Sequence, residues 1–205
     1  MRYPRSTGIV VLLLLSCTTR FGQTRDLQLA ASISRQEQCT SRSDSDILRL
    51  TLRLRYANVG RQKLILYKGN RRFFQVFISR SGPEAGSSGN ELRSTHARYF
   101  DEELERMAAP APGSAFTILS PGSSYETTEL ISVQIARDRD ARFNVSIGPG
   151  EHLLHVVSST WYESRKLAED LRQRWRTRGL LWTEPIASNG VAFVVGKNRP
   201  AVDCQ

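Results

Sequence analysis

The sequence predicts an all-β protein, an antiparallel β-sandwich of about eight strands that carries one helical insertion. Residues 48–56 alternate strictly between apolar and polar side chains, which is the period of a strand with one buried face. Short apolar runs then recur between turn signals built from Gly, Pro and Asn. A single segment, near 161–183, shows strong helical spacing instead.

Eight segments have the composition of strands, and residues 48–56 are the clearest of them. Leu48, Leu50, Leu52, Leu54 and Tyr56 are expected to face the core, and Arg49, Arg53 and Arg55 to face solvent. Such alternation favours an antiparallel sheet with one wet face. The expected strands are 27–33, 48–56, 63–67, 73–79, 116–119, 125–135, 152–159 and 191–195.

Two insertions are expected to interrupt a single domain that covers residues 24–205. The first, near 80–114, begins with a Gly/Ser-rich loop at 81–89 and includes a short helix from His96 to Met107. The second, near 161–183, is the stronger helix. Thr160 and Glu163 fit a capping box at its start, and Gly179 fits its C-terminal stop. Its apolar face is formed by Leu167, Leu171 and Trp175.

The N-terminal residues 1–23 have the pattern of a signal peptide. Arg2 and Arg5 precede an apolar run at 8–15, which is too short to span a bilayer. Residues 14–17 resemble the lipobox of bacterial lipoprotein signals, which implies that Cys17 becomes a lipidated N-terminus. Ordinary signal-peptidase cleavage a few residues later and an uncleaved anchor are the alternatives, and both cleavage routes predict export.

Cys39 and Cys204 lie beside the first predicted strand and after the last one. Two cysteines in an exported domain favour a disulfide over a metal site, with two free thiols as the alternative. This bond would tie the two ends of the folded domain together.

Arginine dominates the charge of this chain, with 25 arginines, 4 lysines and a formal net charge of +9. A GC-rich genome would explain the bias, and an anion-binding surface is the more specific interpretation. Arginines crowd the end of the predicted helix, and tryptophans flank it. The candidate binding surface is Arg172, Arg174, Arg176, Arg178, Trp161 and Trp182. The alternative is a solvated arginine face, with the tryptophans filling the base of the insertion.

Motifs of known catalytic or metal sites are missing from the sequence. It has no Gly-x-Ser-x-Gly elbow, His-Glu-x-x-His helix or phosphate loop. His152 and His155 are three apart, which on a strand puts them on opposite faces. Glu169 and Asp170 are neighbours whose side chains do not converge on a helix. We therefore predict no catalytic residue, no metal site and no cofactor.

Turn sequences give a resemblance to bacterial immunoglobulin-like domains. The segments 119–125 and 147–152 each hold a Pro-Gly turn before a strand, and Asn58-Val59-Gly60 follows a strand in a similar way. These turns look like those of the group that includes the intracellular proteinase inhibitors of bacilli. The resemblance implies an immunoglobulin-like sandwich over 27–79 and 115–196, and it assigns no inhibitory residue.

The sequence thus predicts an exported, non-catalytic immunoglobulin-like domain that binds a protein or has a structural role in the cell envelope. A protease-inhibitor-like module is the alternative, and an enzyme is less favoured. The expected partner is an envelope protein or an anionic surface. Export argues against nucleic acid, and contact with a membrane is expected only through the lipid anchor.

Overall fold

A computed structural model describes residues 26–40, 46–68, 74–81, 92–96, 111–136, 146–161, 165–198 and 203–204, with the backbone alone for 92–96. These residues hold twelve strands and one helix, α1 (Arg165–Arg174). The strands are β1 (Leu27–Thr40), β2 (Asp46–Asn58), β3 (Leu64–Tyr67), β4 (Phe74–Arg80), β5 (Leu92–His96), β6 (Phe116–Leu119), β7 (Ser124–Ile135), β8 (Ser146–Ile147), β9 (Gly150–Ser158), β10 (Leu180–Leu181), β11 (Ile186–Ala187) and β12 (Val191–Val195). Within these ranges no helix combines the length and the apolar composition needed to cross a membrane.

Two sheets face each other to form an all-β sandwich, as predicted. The first sheet has the order β1-β2-β7-β8, and β2 pairs antiparallel with both β1 and β7 along nearly its whole length. The second has the order β11-β9-β4-β5, with β12 also paired to β9. One aliphatic core lies between them and includes Leu48, Leu50, Leu52, Leu54, Val76, Ile78, Leu154 and Val156.

The alternation on β2 is confirmed residue by residue. The four leucines and Tyr56 are buried, whereas Arg53 and Arg55 are exposed and Arg49 is partly exposed. Tyr56 donates its hydroxyl to Ser158 on the opposite sheet at 3.1 Å, so the buried phenol keeps a hydrogen-bond partner.

The strand β3 is shared by two cores. It is the middle strand of a small sheet with the order β10-β3-β6, and all four of its residues are buried. Leu64 and Leu66 face the aliphatic core of the sandwich, while Ile65 and Tyr67 face a second core under α1. A strand that is covered on both sides reads as an unbroken apolar run, as 64–67 does. The helix is therefore fixed to the sandwich through β3.

Side-chain hydrogen bonds link the outer edge of β1 to the segment that contains β11 and β12. Asn189 donates to the Ala31 carbonyl and accepts from the Ala31 amide, as a neighbouring strand would. Gln36 donates to the Val194 carbonyl farther along the same edge. These bonds occupy backbone groups that would otherwise offer a template for another strand.

The structure refines several sequence-based expectations. Residues 92–96, within the predicted first insertion, form β5 and pair with β4, so His96 ends a strand and does not begin a helix. The remainder of that predicted helix, 97–107, and most of the Gly/Ser-rich loop lie outside the described residues. The short strands β8, β10 and β11 were not predicted, because two residues carry no readable period.

Candidate anion-binding site

The helix α1 is anchored by the residues that its spacing predicted. Leu171 and Trp175 are fully buried, Leu167 is partly buried, and Ala168 completes the buried side. Trp175 meets Phe116 edge to face at a centroid distance of 4.8 Å. Glu163, the second half of the expected capping box, lies outside the described residues. This packing holds α1 against the rest of the fold, so the positions on its exposed side are fixed relative to the sandwich.

The end of this helix is shaped by Gly179, as expected. The amides of Arg178 and Gly179 both donate to the Trp175 carbonyl, at 2.8 and 3.3 Å. Gly179 has a positive φ of 157°, and a Cβ at this position would lie 2.9 Å from the Lys63 carbonyl oxygen. Another residue would therefore push the helix end away from the strand that it meets.

Four exposed arginines follow one another over the last turns of α1 and the turn behind it: Arg172, Arg174, Arg176 and Arg178. Arg172, Arg176 and Arg178 form no ion pair with any other residue in the described part of the chain. The segment 171–181 contains no acidic residue. These guanidinium groups remain open to an anion from solution.

A lysine from a distant part of the sequence joins this surface. The Leu180 amide donates to the Lys63 carbonyl at 2.9 Å, and β10 then runs parallel to β3. This pairing sets the backbone of Lys63 beside Gly179, the residue that follows Arg178, and the Lys63 side chain is exposed. We call Lys63, Arg172, Arg174, Arg176 and Arg178 the basic end.

The turn that presents Lys63 is held in place by Asn58. This side chain is 1% exposed, and its amide donates to the carbonyls of Gln62 and Leu119, both at 2.8 Å. Its oxygen accepts from the Gly60 amide at 3.0 Å. An Asn side chain has two N–H donors and two acceptor lone pairs, and three of these four sites form hydrogen bonds here. Because the side chain is buried, these three bonds fix the loop firmly.

The two tryptophans of the candidate surface are buried instead of exposed. Trp161 is 4% and Trp182 9% exposed, and each indole N–H donates to a backbone carbonyl, of Trp182 and Glu184 respectively. Trp161 packs in the core under α1 and Trp182 in the core of the sandwich. The prediction that these two tryptophans form part of an exposed surface is therefore wrong. Both rings are buried because each finds apolar neighbours and a hydrogen-bond partner inside the fold.

The histidines of β9 lie on opposite faces, as their spacing predicted. His152 is buried against Phe193, and its Nε2 lies 2.8 Å from the Gly148 carbonyl oxygen. His155 stacks on Phe77 on the other face at 4.7 Å. Burial lowers the pKa of His152, and nearby Arg80 lowers it further against the opposing effect of the Gly148 hydrogen bond. In the described ranges no group of three His, Cys, Asp or Glu side chains could hold a metal ion.

The predicted bond between Cys39 and Cys204 is confirmed. The two Cα atoms are 5.0 Å apart, and the bond joins residues 165 positions apart in the sequence. The Cys204 amide also donates to the Thr40 carbonyl at 2.9 Å. Cys17 and the signal-like segment 1–23 lie outside the described residues.

Sequence reasoning found the arginines of the basic end and missed Lys63 and Asn58. Lys63 stood at the start of a predicted strand, and nothing local linked it to a helix more than a hundred residues later. Asn58 carried a signal as the first residue of an Asn-Val-Gly turn, since Asn side chains bond their own backbone in turns. That signal predicts a turn, but it does not show that the turn places Lys63 at the basic end.

Comparison with known proteins gives no assignment. No protein-family model matches the chain, and no curated protein matches it significantly. A β-glucosidase from Listeria innocua in complex with gluconolactone shares 10% identity over 80% of this chain, with a TM-score of 0.24. A mutant of the Listeria innocua β-glucosidase in complex with laminaribiose shares 10% identity over 82% of this chain, with a TM-score of 0.20. This chain spans 16% of the length of each, and scores this low support no argument about activity.

Proposed function

We propose that this protein is an exported, non-catalytic immunoglobulin-like domain that binds an anionic partner in the cell envelope through its basic end. The observation that carries the proposal is a set of exposed arginines, Arg172 on α1 and Arg176 and Arg178 in the turn behind it, that have no ion-pair partner among the described residues. The opposite side of α1 is buried. Arginine presents donors in a planar fork that suits phosphate and carboxylate groups. The backbone that carries these arginines is fixed by the packing of Leu171 and Trp175, so binding does not have to order it.

Export is supported by the Cys39–Cys204 bond together with the signal-like N-terminus. Disulfides of this kind persist in oxidising compartments and are rare in the cytosol. An immunoglobulin-like assignment is supported by the strand order. The order β1-β2-β7 opposite β12-β9-β4-β5 corresponds to strands A-B-E opposite G-F-C, with β5 as an added edge strand.

Binding of the purified protein to long-chain polyphosphate, used as a soluble polyanion probe, tests the proposal. We expect binding at low salt that weakens steeply as salt is added, because exposed charges are screened. The double variant Arg176→Ser/Arg178→Ser should lose most of this binding and remain folded.

The matched control is Arg53→Ser/Arg55→Ser, which removes the same charge from the outer face of β2. This variant should keep the binding of the wild type to within a small factor. Equal losses in the two double variants would show that net charge alone attracts the probe. That result, or an absence of binding, would contradict a specific site at the basic end.

A further inference from the structure

The described chain begins next to the basic end. The Asp26 carbonyl accepts hydrogen bonds from the amides of Val59 and Gly60, at 2.8 and 3.1 Å. Gly60 lies so close to the Asp26 side chain that a Cβ would meet its carboxylate oxygen at 2.5 Å. Residues 1–25 therefore join the described structure at the Val59–Gly60 turn.

The same turn continues directly into the basic end. Lys63 follows Gly60 by three residues, and its carbonyl receives the Leu180 amide just behind Arg178. The start of β1 and the exposed arginines are thus joined through one short turn fixed by Asn58. Since residues advance at most about 3.6 Å each, Lys63 lies within roughly 11 Å of Gly60.

This end of the molecule also exposes an aliphatic side chain. Val59 is 48% exposed at the tip of the turn, and Arg61 beside it is exposed as well. The segment 59–68 contains no acidic residue. Among the described residues, the carboxylates beside these segments are Asp26, which is partly buried, and Glu169 and Asp170 on α1. Basic side chains therefore outnumber acidic ones here.

We infer that the basic end, together with Val59 and Arg61, faces a membrane and contacts the anionic headgroups of its lipids. This inference rests on the proposed function and names the partner as the lipid surface to which the N-terminus leads. Cys17, the expected lipidation site, precedes Asp26 by nine residues, a reach of at most about 32 Å. An anchor at Cys17 would therefore keep Asp26, and the turn that it contacts, within that distance of the lipid.

The combination has a physical basis. A lipid anchor and a basic patch act together, because the anchor supplies local concentration and the charges select which face turns toward the anionic surface. An exposed aliphatic residue beside the charges can enter the headgroup region. On the outer face of β1-β2-β7, by contrast, Arg49 lies opposite Glu37 and Arg55 forms an ion pair with Glu126, so acidic side chains accompany the basic ones.

Vesicle binding by a Cys17→Ser form of the full chain separates the basic end from the lipid anchor. Vesicles of phosphatidylglycerol and phosphatidylethanolamine supply anionic headgroups, and pure phosphatidylcholine vesicles measure any contribution of the apolar N-terminal segment. We expect stronger binding to the anionic vesicles. Arg176→Ser/Arg178→Ser should lower that binding roughly 25-fold at low salt, a factor of about five per charge. Arg53→Ser/Arg55→Ser should change it less than about twofold.

A second pair of variants tests the orientation with aliphatic side chains. Val59→Asp and Leu130→Asp add the same charge at exposed positions, of which Leu130, 62% exposed, lies on the outer face of β7. Val59→Asp should weaken binding to anionic vesicles about fivefold or more, and Leu130→Asp less than about twofold. Equal effects of the two changes would overturn the orientation.

The outcomes also separate this inference from the proposed function. Retained polyphosphate binding without preference for anionic vesicles would overturn the membrane assignment alone, whereas loss of both would overturn both. Inorganic phosphate at matched ionic strength should displace the protein from vesicles no better than chloride does. Specific displacement by inorganic phosphate would identify a site for free phosphate and contradict the assignment to lipid.

Discussion

The outer face of β2 and the basic end both expose several arginines, and the two surfaces differ in what accompanies these side chains. On the outer face of the first sheet, Arg49 lies opposite Glu37, and Arg55 forms an ion pair with Glu126 at 3.9 Å. At the basic end, Arg172, Arg176 and Arg178 have no ion-pair partner among the described residues. Arginine content alone therefore does not identify a binding surface, while the lack of a described ion-pair partner for these three arginines does distinguish one.

The two surfaces are also held in different ways. The sheet arginines stand on β2, whose other face is buried in the aliphatic core. The basic end stands on α1, whose other face is buried among aromatic rings. The residues that hold each surface in place can be substituted separately, so the two surfaces can be compared by experiment.

The largest expected effect comes from removing the disulfide that closes the sheet side. The variant Cys39→Ser/Cys204→Ser should lose up to about 5 kcal/mol of unfolding free energy in the chain-entropy model, because the bond spans 165 residues. Urea denaturation of oxidised, reduced and variant protein measures the loss. Reduced wild type is the control and should match the variant. An unchanged midpoint would show that the bond does not constrain the unfolded chain.

Loss of the aromatic support of α1 should have the next largest effect. Trp175 is 1% exposed, and Trp175→Ala should cost about 3 kcal/mol or more through lost contacts and the cavity left behind. Thermal unfolding provides the measurement, and Trp175→Phe should recover part of the stability. If Trp175→Ala melted like wild type, the helix would not be anchored by this ring.

Lowering the pH should reduce the stability of the fold and leave binding by the folded protein unchanged. Because burial lowers the pKa of His152, the unfolded chain takes up this proton more readily than the folded protein does. Stability from this group is complete above about pH 6.5 and decreases as the pH falls below it. The arginines stay charged throughout, so binding by folded protein should not change over this range.

Denaturation at several pH values between about 7.5 and 5.5 measures this effect, since the histidine reference lies near 6.5. His152→Gln should abolish the contribution and flatten the profile in that window. A wild-type profile that is equally flat would contradict the burial of a neutral His152.

The smallest expected effects on stability are those of single arginines. Arg172→Ala and Arg53→Ala should each change the unfolding free energy by less than about 0.5 kcal/mol, because exposed charges contribute little. Chemical denaturation of the two variants and of the wild type under identical conditions measures these changes. A larger loss for Arg172→Ala would mean that the basic end stabilises the fold and is not simply exposed.

Local periodicity predicted the parts of this fold that depend on neighbouring residues. The alternation over 48–56 gave the burial of β2, and the four-residue spacing gave the packing of Leu171 and Trp175. The positions of Cys39 and Cys204 gave the disulfide. In each case the signal lies within one element or at the ends of the domain.

What escaped prediction depends on contacts between distant elements. Lys63 meets the end of the helical segment through the pairing of Leu180 and Leu181 with Leu64 and Ile65, and two paired residues leave no pattern in either segment. The burial of Trp161 and Trp182 depends on backbone carbonyls that accept their N–H groups, at Trp182 and Glu184. Tryptophan is equally common in cores and at interfaces, so composition could not decide between them.

Residue-resolved mapping of polyphosphate binding by amide chemical shifts tests the central claim most directly. Titration at low salt should move the amides of Lys63, Arg172, Arg176 and the Arg178–Leu180 turn, and these shifts should reverse when salt is added. The amides of Arg53 and Arg55 should remain in place and so serve as internal controls. Shifts centred on β2, or spread evenly over both arginine surfaces, would contradict the assignment of binding to the basic end.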